Sequence, residues 1–226
     1  NYSYREYVNP TNINGNKGVN IRAIGKTVND NLVLQGVGIN SAQGDVNIEA
    51  DKSILFDTAL ETLYDRSTKT ETKRSWYGKK KTTTTTTIGD VVTPASVDIY
   101  GKNINVISQF KNPLRADGTR DPALNTSVDI YSARFNANGG KISIRSGGDL
   151  NFLTVAAVNN SNVNQVKKSS WLGINLGTSK TNATRNQTTE IPAKLKADYI
   201  GTKSGYDTRL EGTEFTYLKS ATIEAG

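Results

Sequence analysis

The chain has 226 residues, 35% of them apolar and 8% aromatic, with a formal charge of +7, a pI near 9.4 and a mean hydropathy of −0.52. It contains no Cys, Met or His, which excludes a disulfide framework, thiol chemistry, Ser-His-Asp or Cys-His catalysis and zinc sites built from the usual ligands. So few apolar residues suit a narrow columnar core better than a broad one, and no secretory leader or run of about 18 apolar residues occurs within the stretch.

Beginning at Asn1 without Met and stopping in mid-pattern at Ala225-Gly226, the sequence reads as a piece of a longer chain. Residues 1–18 read as the tail of an earlier excursion, with Tyr2, Tyr4 and Tyr7 covering an end. Short apolar alternations follow at Val19-Asn20-Ile21, at Leu32-Val33-Leu34 with Val37 and Ile39, at Val46-Asn47-Ile48 and at Ile54-Leu55-Phe56. Gly18, Gly36, Gly38 and Gly44 punctuate them where turns or close backbone approach are needed. Period-two alternation marks strands with one buried face.

The stretch 32–56 returns without a gap at 128–152, an offset of 96 residues. At that offset Leu34 falls on Ile130, Ile39 on Phe135, Val46 on Ile142, Ile48 on Ile144, Ile54 on Leu150 and Phe56 on Phe152. Few identities accompany these matches, so the repeated quantity is a pattern of inward positions. A solenoid, in which each rung is buried only against its neighbours, follows from it. One body over 1–226 is expected, with copies at about 19–96 and 97–194 and a partial third over 195–226, marked by Leu210, Phe215-Thr216-Tyr217 and Ile223. Asn20-Ile21 matches Asn105-Val106 at offset 85, so the loop at 111–126, with Pro113, Gly118 and Pro122, is 11 residues longer than its counterpart at 23–31.

Two polar excursions, 57–94 and 153–191, interrupt the rungs, and each holds its only Trp, Trp76 or Trp171, near its middle. Thr68, Thr70 and Thr72 alternate with Lys69, Glu71 and Lys73; Gly78 supplies a turn after Trp76-Tyr77; residues 82–87 return as a β-branched run. The second excursion repeats the plan through Val163 to Val166, Trp171-Leu172-Gly173 and Ile174-Asn175-Leu176. Each therefore reads as a long hairpin that projects from the solenoid or lies along its flank. The competing reading of the Thr run is a low-complexity linker.

Charge is concentrated in the first excursion. Between Arg66 and Lys81 stand seven basic residues and one acid, Glu71, which is nearly the whole excess. The candidate binding residues are accordingly Lys73, Arg74, Trp76, Tyr77, Lys79, Lys80 and Lys81 in the first hairpin and Lys167, Lys168 and Trp171 in the second. Aromatic rings flanked by cations fit a membrane headgroup layer, with the cations toward lipid or lipopolysaccharide phosphate. The same residues also fit a structural clasp, in which the tryptophans anchor the hairpins by burial and the lysines protect a strand edge. A Thr-rich return strand without interleaved aromatics argues against nucleic acid.

Other motifs carry less. Gly25-Lys26-Thr27 has the end of a P-loop but Asn20 where that loop needs Gly. Gly147-Gly148-Asp149 reads as a turn between rungs. Asp45, Glu49, Asp51 and Asp57 fall at turns or outward positions, so neither catalysis nor a metal or cofactor is expected. Asn-x-Ser/Thr sequences at Asn125, Asn159, Asn182 and Asn186 are expected by chance in a chain this rich in Asn and Thr.

A β-rung ending in an aromatic, a Ser/Thr/Lys-rich arm, an aromatic-Gly pair, a Thr-rich return and renewed Gly-Asp-Val-Asn-Ile-type rungs together resemble the haemagglutinin repeats of filamentous-haemagglutinin-like exoproteins. The quoted pairs are Lys73-Arg74-Ser75-Trp76-Tyr77-Gly78 and Lys167-Lys168-Ser169-Ser170-Trp171-Leu172-Gly173. The pattern, over about 19–223, is most similar to the second repeat region of contact-dependent growth inhibition effectors, which are exported by two-partner secretion. The resemblance implies an all-β, right-handed parallel β-helix and an outer-membrane β-barrel secretion partner for the full-length protein. It also implies location at a Gram-negative cell surface or in secreted form. The implied role is non-catalytic, as a stalk or as the region that engages a target cell's outer membrane during toxin delivery. Alternatives are an adhesin repeat that binds glycans and a polysaccharide-active β-helix. A monomer is expected for the isolated fragment.

Overall fold

A computed structural model describes residues 1–25, 31–112, 114–121, 124 and 126–226. Among these the chain is all-β, with no α-helix. It forms two compact units: one of Asn1–Tyr7, Leu60–Thr93 and Ala156–Thr189, the other of Val8–Ala59, Pro94–Val155 and Glu190–Gly226.

The larger unit is built from three ladders of short parallel strands wrapping round an axis, a parallel β-solenoid-like arrangement. In the first ladder stand β2 (Asn12–Gly15), β5 (Gly38–Ser41), β10 (Asp98–Gly101), β13 (Arg134–Ala137), the start of β18 (Lys194–Ser204) and the start of β20 (Glu214–Glu224). The second holds β3 (Gly18–Ala23), β6 (Asp45–Ala50), β11 (Ile104–Ser108), β14 (Lys141–Ser146) and the remainders of β18 and β20. The third holds β4 (Leu32–Gln35), β7 (Ile54–Asp57), β12 (Ser127–Tyr131), β15 (Asp149–Leu153) and β19 (Thr208–Leu210).

Because side chains alternate across a strand, in-register stacking turns each inward position into a column. Val19, Val46, Ile104, Ile142 and Ile200 form one. Leu34, Phe56, Ile130, Phe152 and Leu210 form another, and Ile13, Ile39, Ile99, Phe135, Leu195 and Phe215 a third. Most of these side chains are buried, and neighbouring columns interlock through edge-to-face rings, Phe56 with Phe135 at 5.3 Å and Phe152 with Phe215 at 5.8 Å. Burying each such side chain contributes about 1.5–3 kcal/mol.

Each short alternation of the sequence is thus one side of a rung, and the 96-residue offset spans two rungs, with Ile104 lying between Val46 and Ile142. Asn20 and Asn105 are two rungs apart in the same column, with Asn47 between them. Outside, these three form an amide ladder: Asn47 donates to Asn20 at 2.7 Å and Asn105 to Asn47 at 2.8 Å. At the rung corners backbone meets backbone; a Cβ on Gly140 would lie 1.8 Å from the Lys102 carbonyl oxygen.

In the long loop, Asn112 donates to the Asp121 carbonyl at 2.7 Å, the Tyr206 hydroxyl donates to the Asn112 carbonyl, and the Arg120 guanidinium sits 3.3 Å over the Tyr206 ring. Lys26, Thr27, Pro113, Pro122 and Asn125 lie outside the described residues.

The smaller unit is an antiparallel sheet of β1 (Tyr2–Glu6), β8 (Ala59–Arg74), β9 (Lys79–Ala95), β16 (Val155–Trp171) and β17 (Ile174–Ile191), in that order. Its pairs β8–β9 and β16–β17 are the two hairpins. They lie side by side because β9 pairs with β16, from Val92 opposite Val158 to Lys79 opposite Trp171. Threonine hydroxyls tie β8 to β9 across three rows, Thr68 to Thr86, Thr70 to Thr84 and Thr72 to Thr82, at 3.2–3.3 Å. The Thr run is therefore a paired central strand, suited by its β-branched side chains to a pleated surface with both faces partly open.

Candidate anionic-surface contact at the hairpin tips

Two different turns close the hairpins. In the first, Ser75 N–H donates to the Lys79 carbonyl and Gly78 N–H to the Ser75 carbonyl, and Gly78 has φ +86°. This is the three-residue connection in which a left-handed glycine finishes a tight turn, and it leaves Trp76 and Tyr77 at the apex. In the second, Leu172 and Gly173 form the turn with φ of +44° and +85°, the backbone of a two-residue mirror-image turn. Leucine pays a steric penalty there that glycine or asparagine would avoid.

The two tips pack together. Trp171 Nε1–H donates to the Tyr77 carbonyl at 3.0 Å, and Leu172 lies against Gly78, where an added Cβ would be 3.0 Å from its side chain. Trp76 and Tyr77 meet edge to face at 5.8 Å. Trp76 is nonetheless 97% exposed and Leu172 70%. Burial therefore does not hold Trp76, whereas the Trp171 indole does clasp one tip to the other.

Cations collar this apex on both faces of the sheet. Continuing the register of the threonine rows puts Arg74 opposite Lys80, which in turn faces Ser170. One row further from the tip Lys168 faces Thr82 on the same side of the sheet. On the other side lie Lys73, Lys79, Lys81 and Lys167. Like charges opposite one another cost stability. Glu71 is engaged by Lys69 at 2.7 Å, a contact that, with the charge of Lys73 nearby, holds the Glu71 carboxyl below its usual range. A cavity of about 350 Å³ at the tips is lined by Arg74, Lys80, Ser75, Ser170, Gly78 and Gly173.

All ten residues singled out from the sequence thus lie at or near one apex. Leu172, Ile174 and Leu176 belong with them: these exposed apolar side chains continue the surface beside Trp171. Their alternation was visible in the sequence, but nothing in it said that both faces of β17 are open to solvent.

The carboxylates singled out from the sequence, Asp45, Glu49, Asp51 and Asp57, stand in the solenoid unit, each engaged there. Asp45 accepts from Asn103 at 2.9 Å, Glu49 pairs with Arg22 at 3.4 Å, Asp51 accepts from the Gly25 N–H at 3.2 Å and Asp57 accepts from Gln35 at 3.1 Å. Among the described residues no group of three or more Asp, Glu, His or Cys could hold a metal ion. The chain matches no family model, no curated protein and no solved structure.

Proposed function

We propose that this chain is a non-catalytic repeat segment of a large secreted or cell-surface exoprotein, and that its hairpin tips engage the anionic outer surface of another cell's envelope. The single observation that carries this reading is the exposed apex of Trp76, Tyr77, Trp171 and Leu172 inside a collar of seven cations. Indole and phenol rings settle at a headgroup layer, and each Lys or Arg near an anionic surface contributes about 1 kcal/mol. Aromatic anchoring and charge attraction then act at the same depth. The resemblance to growth-inhibition effectors extends the proposal to a right-handed β-helix, a β-barrel secretion partner in the outer membrane, and service as stalk or envelope-engaging region in toxin delivery.

Co-sedimentation with anionic and zwitterionic vesicles tests the reading. Binding is expected on anionic vesicles only and falls as salt rises. Replacing Lys79, Lys80 and Lys81 by Ser removes about 3 kcal/mol, roughly a hundredfold in affinity, and Trp76→Ala/Tyr77→Ala weakens binding while leaving the β-sheet circular dichroism unchanged. Equal binding to both vesicle types, or none to either, would overturn it.

A further inference from the structure

The hairpin sheet has an unused edge, and the internal repeat shows what fits it. β17 closes the sheet order β1-β8-β9-β16-β17, and among the described residues it pairs with β16 alone. It is 18 residues long, about three times an ordinary strand, and every residue but the last is exposed. An edge of that kind is a template for another strand unless proline, a bulge or dense charge blunts it. From Thr178 to Thr188 there is no Pro, and only Lys180 and Arg185 are charged.

The opposite edge belongs to β8. Its root is covered by β1, Tyr2 opposite Arg66 through Glu6 opposite Thr62, but β1 is only five residues long and exposed throughout. Just beyond it the Thr68 N–H is met by a side chain, Asn1 Oδ1 at 3.4 Å, and β8 continues to Arg74. The sheet thus offers a returning strand, β17, at one side and an outgoing strand, β8, at the other. These are the two kinds of strand that β9 and β16 join in its middle.

That middle junction supplies the register. The hairpins are 96 residues apart at both roots: Ala59 and Val155 begin β8 and β16, and Ala95 and Ile191 end β9 and β17. Gly89 faces Ser161; moved by 96, these positions become Arg185 on β17 and Asp65 on β8. The same shift lays Thr178 to Thr188 along Thr72 to Thr62, with Lys180 opposite Thr70, Ser179 opposite Glu71 and Thr181 opposite Lys69. One pair of opposite charges meets and no like charges do, which favours the cross-strand contact.

We propose that β17 of one copy adds to β8 of a second copy, taking the place of β1, so that the hairpin sheets of separate chains join through the pairing that β9 and β16 make within one chain. This covers more of β8 than β1 does, and it sets Arg185 against Asp65 where β1 offers Ser3. It departs from the monomer expected for the fragment and does not depend on what the tips bind. Because the two edges differ, the contact is head to tail and stays open at each end.

Sedimentation velocity of the whole chain over a concentration series tests this. Growth past the dimer with rising concentration is expected. Arg185→Glu or Asp65→Arg alone sets like charges face to face and should weaken association by about tenfold. An equal mixture of the two variants restores an opposite pair at every junction between unlike chains and should associate as wild type does. Rescue needs both chains folded, so it separates a lost contact from a lost fold. Tyr2→Ala, which removes the ring contact between β1 and Tyr64, should strengthen association by about threefold or more. A chain that stays monomeric throughout the series overturns the proposal and leaves the β17 edge to a strand of another protein. Association indifferent to either charge reversal, failure of the mixture to recover, or a Tyr2→Ala chain that associates no more strongly than wild type overturns it as well.

Discussion

Replacing Gly140 by alanine should destabilise the solenoid sharply, and the reason is distance. The new Cβ would lie 1.8 Å from the carbonyl oxygen of Lys102 and 2.7 Å from Asn103 Oδ1, where real contacts begin near 3.0 Å. The first neighbour is backbone, so no side chain can swing aside; adjacent strands separated by about 4.8 Å must part by more than an ångström. Overpacking of this kind costs about 3 kcal/mol, or roughly 6–12 °C in melting temperature for a chain of this size. Gly201→Ala is the matched control, because its Cβ meets nothing within 4 Å. It should be neutral or stabilising by about 0.4–1 kcal/mol through a less flexible unfolded chain. Urea unfolding followed by circular dichroism gives both numbers, provided the slope stays constant. If Gly140→Ala unfolds at the wild-type midpoint, or if the two variants shift together, the close-approach argument is wrong.

Phe152→Ala removes a fully buried ring from the column between Ile130 and Leu210 and should cost about 3–5 kcal/mol in the same unfolding assay. Leu172→Asn relieves a leucine held at φ +44°; it should stabilise the hairpin sheet by about 1 kcal/mol while weakening vesicle binding, and differential protection of the hairpin amides reads the first effect apart from the second. The Lys203 hydrogen bond and charge hold the Glu224 carboxyl below its usual range. A depressed carboxylate stabilises above its unfolded pKa and loses that contribution as pH falls through its folded value. Wild type and Glu224→Gln should therefore differ slightly in melting temperature near neutrality and converge as pH falls through the lowered folded-state value of Glu224. The difference is small because the pair is exposed.

Much of the solenoid was legible because its core is a one-dimensional code. The pairs found at offset 96, such as Val46 with Ile142 and Phe56 with Phe152, are buried and stand in common columns. Alternation also located the strands, but it could not count the sides of a rung, since every side carries the same short pattern. Where β18 continues from the first ladder into the second, Ala197 and Asp198 turn the corner without a glycine or a gap, and no punctuation marked it. The hairpins were legible as Thr alternation around a glycine turn. The pairing of β9 with β16 was not: it joins residues such as Thr84 and Val166 through backbone bonds and half-exposed faces, which leave no periodic trace. At the tips the cations and aromatics were plain in the sequence, whereas the clasp from Trp171 to the Tyr77 carbonyl depends on that pairing and so was hidden with it.

Among the described residues of the solenoid unit the strand pairing runs from each rung to the next, which gives it the thermodynamics of a linear chain of coupled spins. Order has no single nucleus to wait for: any two stacked rungs can start it, and each addition then costs the entropy of one rung against one interface. Loss of order works the same way, fraying inward from the terminal rungs. Amide exchange would accordingly be slowest in β11, flanked by β6 and β14, and would quicken towards β2 and β20. The whole stack can thus be dismantled or assembled in sequence from one end, with no covalent staple anywhere along a chain that contains no cysteine.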